Sequence, residues 1–267
     1  MAHPAAAVLE SALRARKLDR TLTTALPSLD RTDAAAVTPT DVRLLDACLR
    51  GGLPRGQLSE IAGPRSSGRT TLALQILAAA TARGEIVACI DTFDRLDVAS
   101  AAAAGVYLPH LLWVRGQAIA AMDGATDPRW IPGEREVARG GPSGLVERTV
   151  DRALKALNLV LQGGGFGVVA IDLVDVPVAA LKRVPFTTWL RVQRTIEGSD
   201  TACVLIVPEP LARSAGGLTL TLTGRSTWTG TADRSRRLTG ADLRVRVVSP
   251  RRRVDGDVAM TAAVDPR

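Results

Sequence analysis

Two periodicities divide the chain. Between residues 57 and 208 short, almost continuous apolar runs alternate with longer segments in which apolar residues recur every three or four positions. "QLSEIAG" from Gln57 predicts a strand, "GRTTLALQILAAATARG" a helix that opens on a glycine turn, and "EIVACIDT" a strand of the kind buried on both faces of a parallel sheet. "LVERTVDRALKALNLVLQ" places apolar residues at 145, 146, 150, 154, 157 and 161 and predicts a helix, followed by the strand "FGVVAIDLVD", the helix "TTWLRVQRTIEGS" and the strand "TACVLIVP". Strands alternating with helices imply an open, mostly parallel α/β sheet with its ligand chemistry at the C-terminal edge.

The ends differ. Residues 5–20 predict a basic amphipathic helix, with Val8, Leu9 and Leu13 opposite Arg14, Arg16, Lys17 and Arg20. Residues 27–40, rich in Pro, Thr and Asp, read as a linker or arm, and "TPTDVRLLDACLRGG" as a helix capped by Thr40 and closed at Gly51 and Gly52. The expected organisation is an N-terminal helix and arm over 1–39 and a core domain over 40–267. Residues 116–144 carry Gly, Pro and charge and are expected to be a loop or insertion. Beyond residue 211, "GLTLTLT", "RSTWTG" and "DLRVRVVSP" alternate polar and apolar, as antiparallel strands with one solvated face do.

Composition narrows the class. The 267 residues carry a formal net charge of +7, almost all of the cations being arginine, which favours an anionic partner, nucleic acid first. Cys48, Cys89 and Cys203 sit singly in apolar runs and are expected to be free thiols in a reducing compartment. No apolar run reaches the ~20 residues of a membrane span and no cleavable leader is evident, so the expected location is the cytoplasm, without membrane partners. Of Trp113, Trp130, Trp189 and Trp228, only Trp130 lies in a clearly polar stretch; the others are expected in the core.

Gly63 to Thr70 has the outline of a phosphate-cradling loop, G-x-x-x-x-G-K-T, with arginine at the lysine position. In a working loop, glycines let backbone N–H groups face the phosphates, the helix N-terminus adds its dipole, lysine reaches the β and γ oxygens and a hydroxyl holds Mg²⁺. Gly63, Ser66, Ser67, Gly68, Thr70 and Thr71 supply all but the lysine, and Asp172, at the end of a later apolar strand, is placed as the second Mg²⁺ anchor beside Thr70. Arg69 keeps the charge, but a planar fork cannot seat as a compact point charge without displacing phosphate or swinging out. No cofactor is assured; ATP with Mg²⁺ is the one the loop would take, weakly. Near the C-terminus, period-two alternation puts Arg244 and Arg246 on one strand face, with Arg234, Arg236, Arg237, Arg251, Arg252 and Arg253 adjoining, a stripe suited to a nucleic-acid backbone, an acidic protein surface or water.

The run from "LLDACLRGGLPRG" through "EIAGPRSSGRTTLALQ" to "DRLDVASAAAAGV" resembles the core of the RecA recombinase family, over about residues 40–112 and more weakly through "GVVAIDLVD" and "CVLIVPEPLARSAGG". More narrowly, the chain resembles the ImuA family, RecA-like accessories of the bacterial DNA-damage-inducible mutagenesis cassette. The resemblance implies a RecA-like phosphate-loop core: a mostly parallel twisted sheet flanked by helices, with antiparallel strands added at the C-terminal edge. It also places Phe93 where recombinases carry the water-polarising glutamate, Ser100 where a tyrosine stacks on adenine, and Pro208 and Glu209 where an asparagine and a glutamine sense the γ-phosphate. The two DNA-binding loops are altered, the first shortened near "PVAALKRVPFTTW", the second, "PLARSAGGLTLTL", drawn into strand, leaving Lys182, Arg183 and Arg213 either as phosphate contacts or as a merely solvated face.

By this resemblance the expected role is a non-catalytic or weakly catalytic scaffold in the SOS response and translesion synthesis, with an ImuB-type or Y-family polymerase, RecA, DNA or a second copy as partners. The alternatives are a slow DNA-dependent ATPase, with Arg69 on phosphate, Thr70 and Asp172 on Mg²⁺ and Glu60 or Asp94 as base, and a SulA-type cell-division inhibitor.

Overall fold

The computed structural model describes residues 36–116, 141–212, 217–230, 235–248 and 255–263. They lie in the compact unit that starts at Asp33. The expected N-terminal helix and most of its arm, and most of the 116–144 insertion, fall outside the described residues, as do Arg213 and Trp130.

The central elements follow the alternation in the sequence: β3 (Leu58–Ala62), α2 (Arg69–Ala82), β4 (Val87–Asp91), α4 (Gly141–Gly163), β6 (Val168–Asp172), α6 (Phe186–Ile196) and β7 (Ala202–Val207). Several short elements carry too few residues for a periodicity to mark: β1 (Val37–Thr38), β2 (Leu53–Pro54), α3 (Val98–Ala103), β5 (Leu111–Arg115) and α5 (Val178–Arg183). The helix before the glycine turn is α1 (Arg43–Leu49). Val42, not Thr40, precedes its first turn; Thr40 contributes through its hydroxyl, which donates to Asp46 Oδ1 at 2.7 Å and accepts from Val42 N–H at 3.2 Å. Arg50 takes the left-handed C-cap conformation expected of glycine, φ 57°, so that Gly51 N–H reaches the Asp46 carbonyl at 2.8 Å.

Eight strands form one sheet in the order β10-β9-β8-β3-β7-β6-β4-β5, parallel from β8 through β5 and antiparallel among the last three, β8 (Thr219–Thr229), β9 (Arg237–Val248) and β10 (Asp255–Ala263). The two runs expected as separate strands form the single β8; an irregularity between Thr227 and Trp228 accommodates one extra residue of β9. β10 has no strict alternation, and pairing with β9, Asp257 opposite Arg246, defines it.

Successive strand residues face opposite layers. Val87, Cys89, Ala170 and Val204 meet α1 and α2 on one face; Ala88, Ile90, Val169, Ile171 and Leu205 meet α4 and α6 on the other. α2 is buried almost all round, and its alanines let it lie close to the sheet. The three cysteines are free, Cys89 and Cys203 buried and Cys48 partly exposed.

Arg55 ties the N-terminal segment to the base of the sheet. Its guanidinium donates to the carbonyls of Val37, Gly167 and Asp200 at 3.1, 3.3 and 2.8 Å and pairs with Glu85 at 2.8 Å. Replacing it takes one donor from acceptors in four segments, of which Glu85 keeps Arg83 and the Gly167 carbonyl keeps Ala202 N–H. Arg55→Ala is therefore expected to lose roughly 2–4 kcal/mol, read as a lower urea midpoint at unchanged slope.

Candidate functional site: an arginine-filled phosphate loop

The turn from β3 into α2 has the shape of a phosphate loop. Gly68 has φ 87° and Ser66 φ 60°, and a Cβ at Gly63 would stand 2.4 Å from the Leu222 carbonyl oxygen and 2.6 Å from Ser67 Oγ. Ser67 is enclosed and its hydroxyl has no hydrogen-bond partner, while Thr70 and Thr71 face outward. One wall is the antiparallel ribbon, with Leu243 packed where a Gly68 side chain would project and Gly224 against Ser66.

Arg69 neither swings out nor stands in the open cradle. Its side chain turns back under the loop, 5% exposed, and Nη1 donates to the Val207 carbonyl at the end of β7, 3.0 Å away. Burial pulls its pKa down, and the charges of Asp172 and Asp175 act in the opposite sense. Outside lies an open depression of about 650 Å³ lined by Arg65, Arg69, Arg95, Val174, Asp175 and Pro208. Asp175 stands between Arg65, at 3.8 Å, and Arg95, at 3.5 Å. Sequence reasoning missed Arg65, Arg95 and Asp175; only their flanking of the two motifs could have pointed to them.

Asp172 does lie beside the loop, at the end of β6 and in register with Asp91 of β4. Burial first, then the like charges of Asp91 and Asp175, push its carboxyl up to about 6, against the stabilising N–H of Val174 at 2.9 Å and the charge of Arg69. Asp91 is a structural acid: it accepts from Arg95 and Leu96 N–H, each at 2.8 Å, and from Trp113 Nε1 at 3.1 Å.

The acids considered as substitute bases are both tied. Glu60 is fully buried and accepts from Leu211 N–H, Ala212 N–H and the Thr219 hydroxyl, so it anchors the chain after β7. Asp94 is held in a fork by Arg115 at 2.8 and 2.7 Å, which keeps its pKa below the usual carboxylate range. Phe93 is buried in the layer beneath α4 and α6, Ser100 is exposed on α3, and Glu209 pairs with Lys182 at 2.8 Å. An ATP–Mg²⁺ complex would thus meet glycines, a helix N-terminus and the Thr70 hydroxyl, but no ammonium at the loop's centre and no base at the position of Phe93. These residues do not fit an ATP–Mg²⁺ group poised for hydrolysis.

Of the C-terminal arginines, Arg244 and Arg246 share the exposed face of β9, beside Thr223 and Thr221 of β8, and Arg236 and Arg237 are exposed at its start. Arg234, Arg251, Arg252 and Arg253 lie outside the described residues. Arg183 pairs with Glu147, leaving less of it for phosphate than expected. Trp189 is buried and Trp113 partly so, but Trp228, expected in the core, is 54% exposed across from Leu238 near the free end of the ribbon.

The fold and loop define a RecA-like phosphate-loop protein. The RecA N-terminal domain family matches residues 15–120. The chain is similar to the RecA proteins of Syntrophus aciditrophicus, 46% identical over 88 residues, covering 33% of this chain and 26% of that protein, and of Thermus thermophilus, 33% identical over 171 residues, covering 57% and 50%. The matches thus span half or less of these relatives' length. Among the described residues no helix is long and apolar enough to cross a membrane, and no cluster of three or more potential metal ligands occurs.

Because the folded chain holds the Asp172 proton to about pH 6 while an unfolded chain releases it near 3.8, the folded state binds more protons between those values, and stability falls as pH rises through that window. Asp172→Asn should therefore stabilise the protein by roughly 1–2 kcal/mol at neutral pH, a gain that vanishes below about pH 4 in thermal melts across pH.

Proposed function

We propose that this protein is a non-catalytic RecA-like scaffold of the ImuA type, acting in the DNA-damage (SOS) response and translesion synthesis. It would join a Y-family or ImuB-type polymerase to RecA or to DNA. The carrying observation is the bond from Arg69 to the Val207 carbonyl, which commits the loop's central cation to the protein itself. Buried Phe93 at the position of the water-activating acid agrees with it.

Recruitment needs surfaces, not turnover. Exposed Arg237, Arg244 and Arg246, with Trp228 at the same ribbon, offer cations for a phosphate backbone and a ring for stacking. RecA itself is a partner on this reading, and association between copies is the natural extension of a RecA-like core.

Phosphate release from ATP, with and without single-stranded DNA, is expected to stay at background. Arg69→Lys is expected to raise the affinity of a fluorescent ATP analogue about tenfold, near 1.4 kcal/mol, still without turnover, because Phe93 supplies no base. Turnover by the unaltered protein that disappears in Asp172→Ala would refute the scaffold and establish a slow ATPase. Capture of the polymerase on immobilised protein, lost with the Arg237, Arg244 and Arg246 alanines, would place docking on the ribbon.

A further inference from the structure

On the opposite face of the sheet from α2, the C-terminal ends of β4 and β5 and one side of α4 enclose a second cavity of about 540 Å³. Its volume falls within the ~300–1,000 Å³ usual for small-molecule sites. The body is aliphatic, from Ile90, Val114, Ala153 and Ala156; the polar groups are few.

Thr92 lines this cavity at 1% exposure, and its Oγ1 is enclosed with no hydrogen-bond partner. Such an orphan carries a desolvation cost of about 1–3 kcal/mol unless something in the cavity bonds to it. At the rim stand two guanidiniums. Arg115 is held by its fork to Asp94 and lies 4.5 Å from the centre of the Trp113 ring; Arg152 projects from α4 and is exposed. The one acid on the lining among the described residues, Asp91, already accepts three N–H groups, and Asp94 offsets Arg115, so among the described residues Arg152 is the lining cation placed to meet a ligand. The cavity therefore combines an aliphatic interior, the unpartnered hydroxyl of Thr92, the Thr149 hydroxyl bonded to the Leu145 carbonyl, and one planar fork suited to a carboxylate.

We propose that this cavity is a binding site for a small organic monocarboxylate with an aliphatic body. Arg152 takes the carboxylate, with Arg115 beside it, and Thr92 Oγ1 bonds a polar atom of the ligand. The site is separate from the phosphate loop and independent of the scaffold reading.

Calorimetric titration of the full chain with N-acetyl-leucine tests it, with thymidine monophosphate as the second arm. Saturable binding of N-acetyl-leucine is expected. Arg152→Ala, on an exposed helix face, should weaken it at least tenfold, and Thr92→Val severalfold without lowering the melting temperature of the unliganded protein. Arg69→Lys, across the sheet, should leave it unchanged. No saturable heat up to about 20 mM, corresponding to a binding free energy weaker than about −2.3 kcal/mol, overturns the proposal, as does affinity that survives Arg152→Ala. A cavity that takes the nucleotide and refuses the carboxylate overturns it as well.

Discussion

The scaffold proposal depends on the bond from Arg69 to the Val207 carbonyl. A phosphate loop works because a slim ammonium completes a ring of donors aimed at one point. Here the cation sits at the helix start expected for that lysine, yet its longer fork finds a carbonyl at the end of β7 and stays there, buried. The stored interaction is modest in energy, about 1.5–3 kcal/mol for a hydrogen bond to a charged group, but a phosphate must compete with it and also meet the cost of re-exposing the guanidinium.

The loop's shape persists for reasons of packing. Gly63 is hemmed by the Leu222 carbonyl, Gly68 by Leu243, and Gly224 lies against Ser66 and Ser67. The antiparallel ribbon thus packs against the turn and supports its shape. In the same way the carboxyl of Glu60 fastens the chain after β7, taking N–H groups from Leu211 and Ala212 and the hydroxyl of Thr219. The loop is also a packing junction between the parallel core and the added strands.

This explains which parts could be foreseen. The buried parallel strands and the long helices announce themselves because both faces of one and one stripe of the other must be apolar, and the α/β RecA-like architecture follows from their alternation. Short elements such as β5, and β10 with no regular alternation, depend on neighbours far away in sequence and leave no periodic trace. The fate of Arg69 was half legible: its misfit with a phosphate cradle follows from side-chain shape, but its acceptor, 138 residues away, does not. Trp228 was misplaced because its apolar ring reads as core, whereas the β8–β9 irregularity carries it to the exposed end of the ribbon.

The acids near the sheet's C-terminal edge make the same point from the other side. A general base needs lone pairs free to accept a proton from water. Glu60 and Asp91 spend theirs on N–H groups and hydroxyls, Asp94 on a guanidinium fork, and Glu209 on Lys182. Asp172 accepts Val174 N–H, and burial pushes its carboxyl up to about 6. A lysine at position 69 would restore only one component of the reaction; the carboxyls around it are already bound into the structure. On the scaffold proposal the catalytic set is incomplete, and the arginine-bearing ribbon, with Arg237, Arg244 and Arg246 exposed, is the surface that would meet a partner.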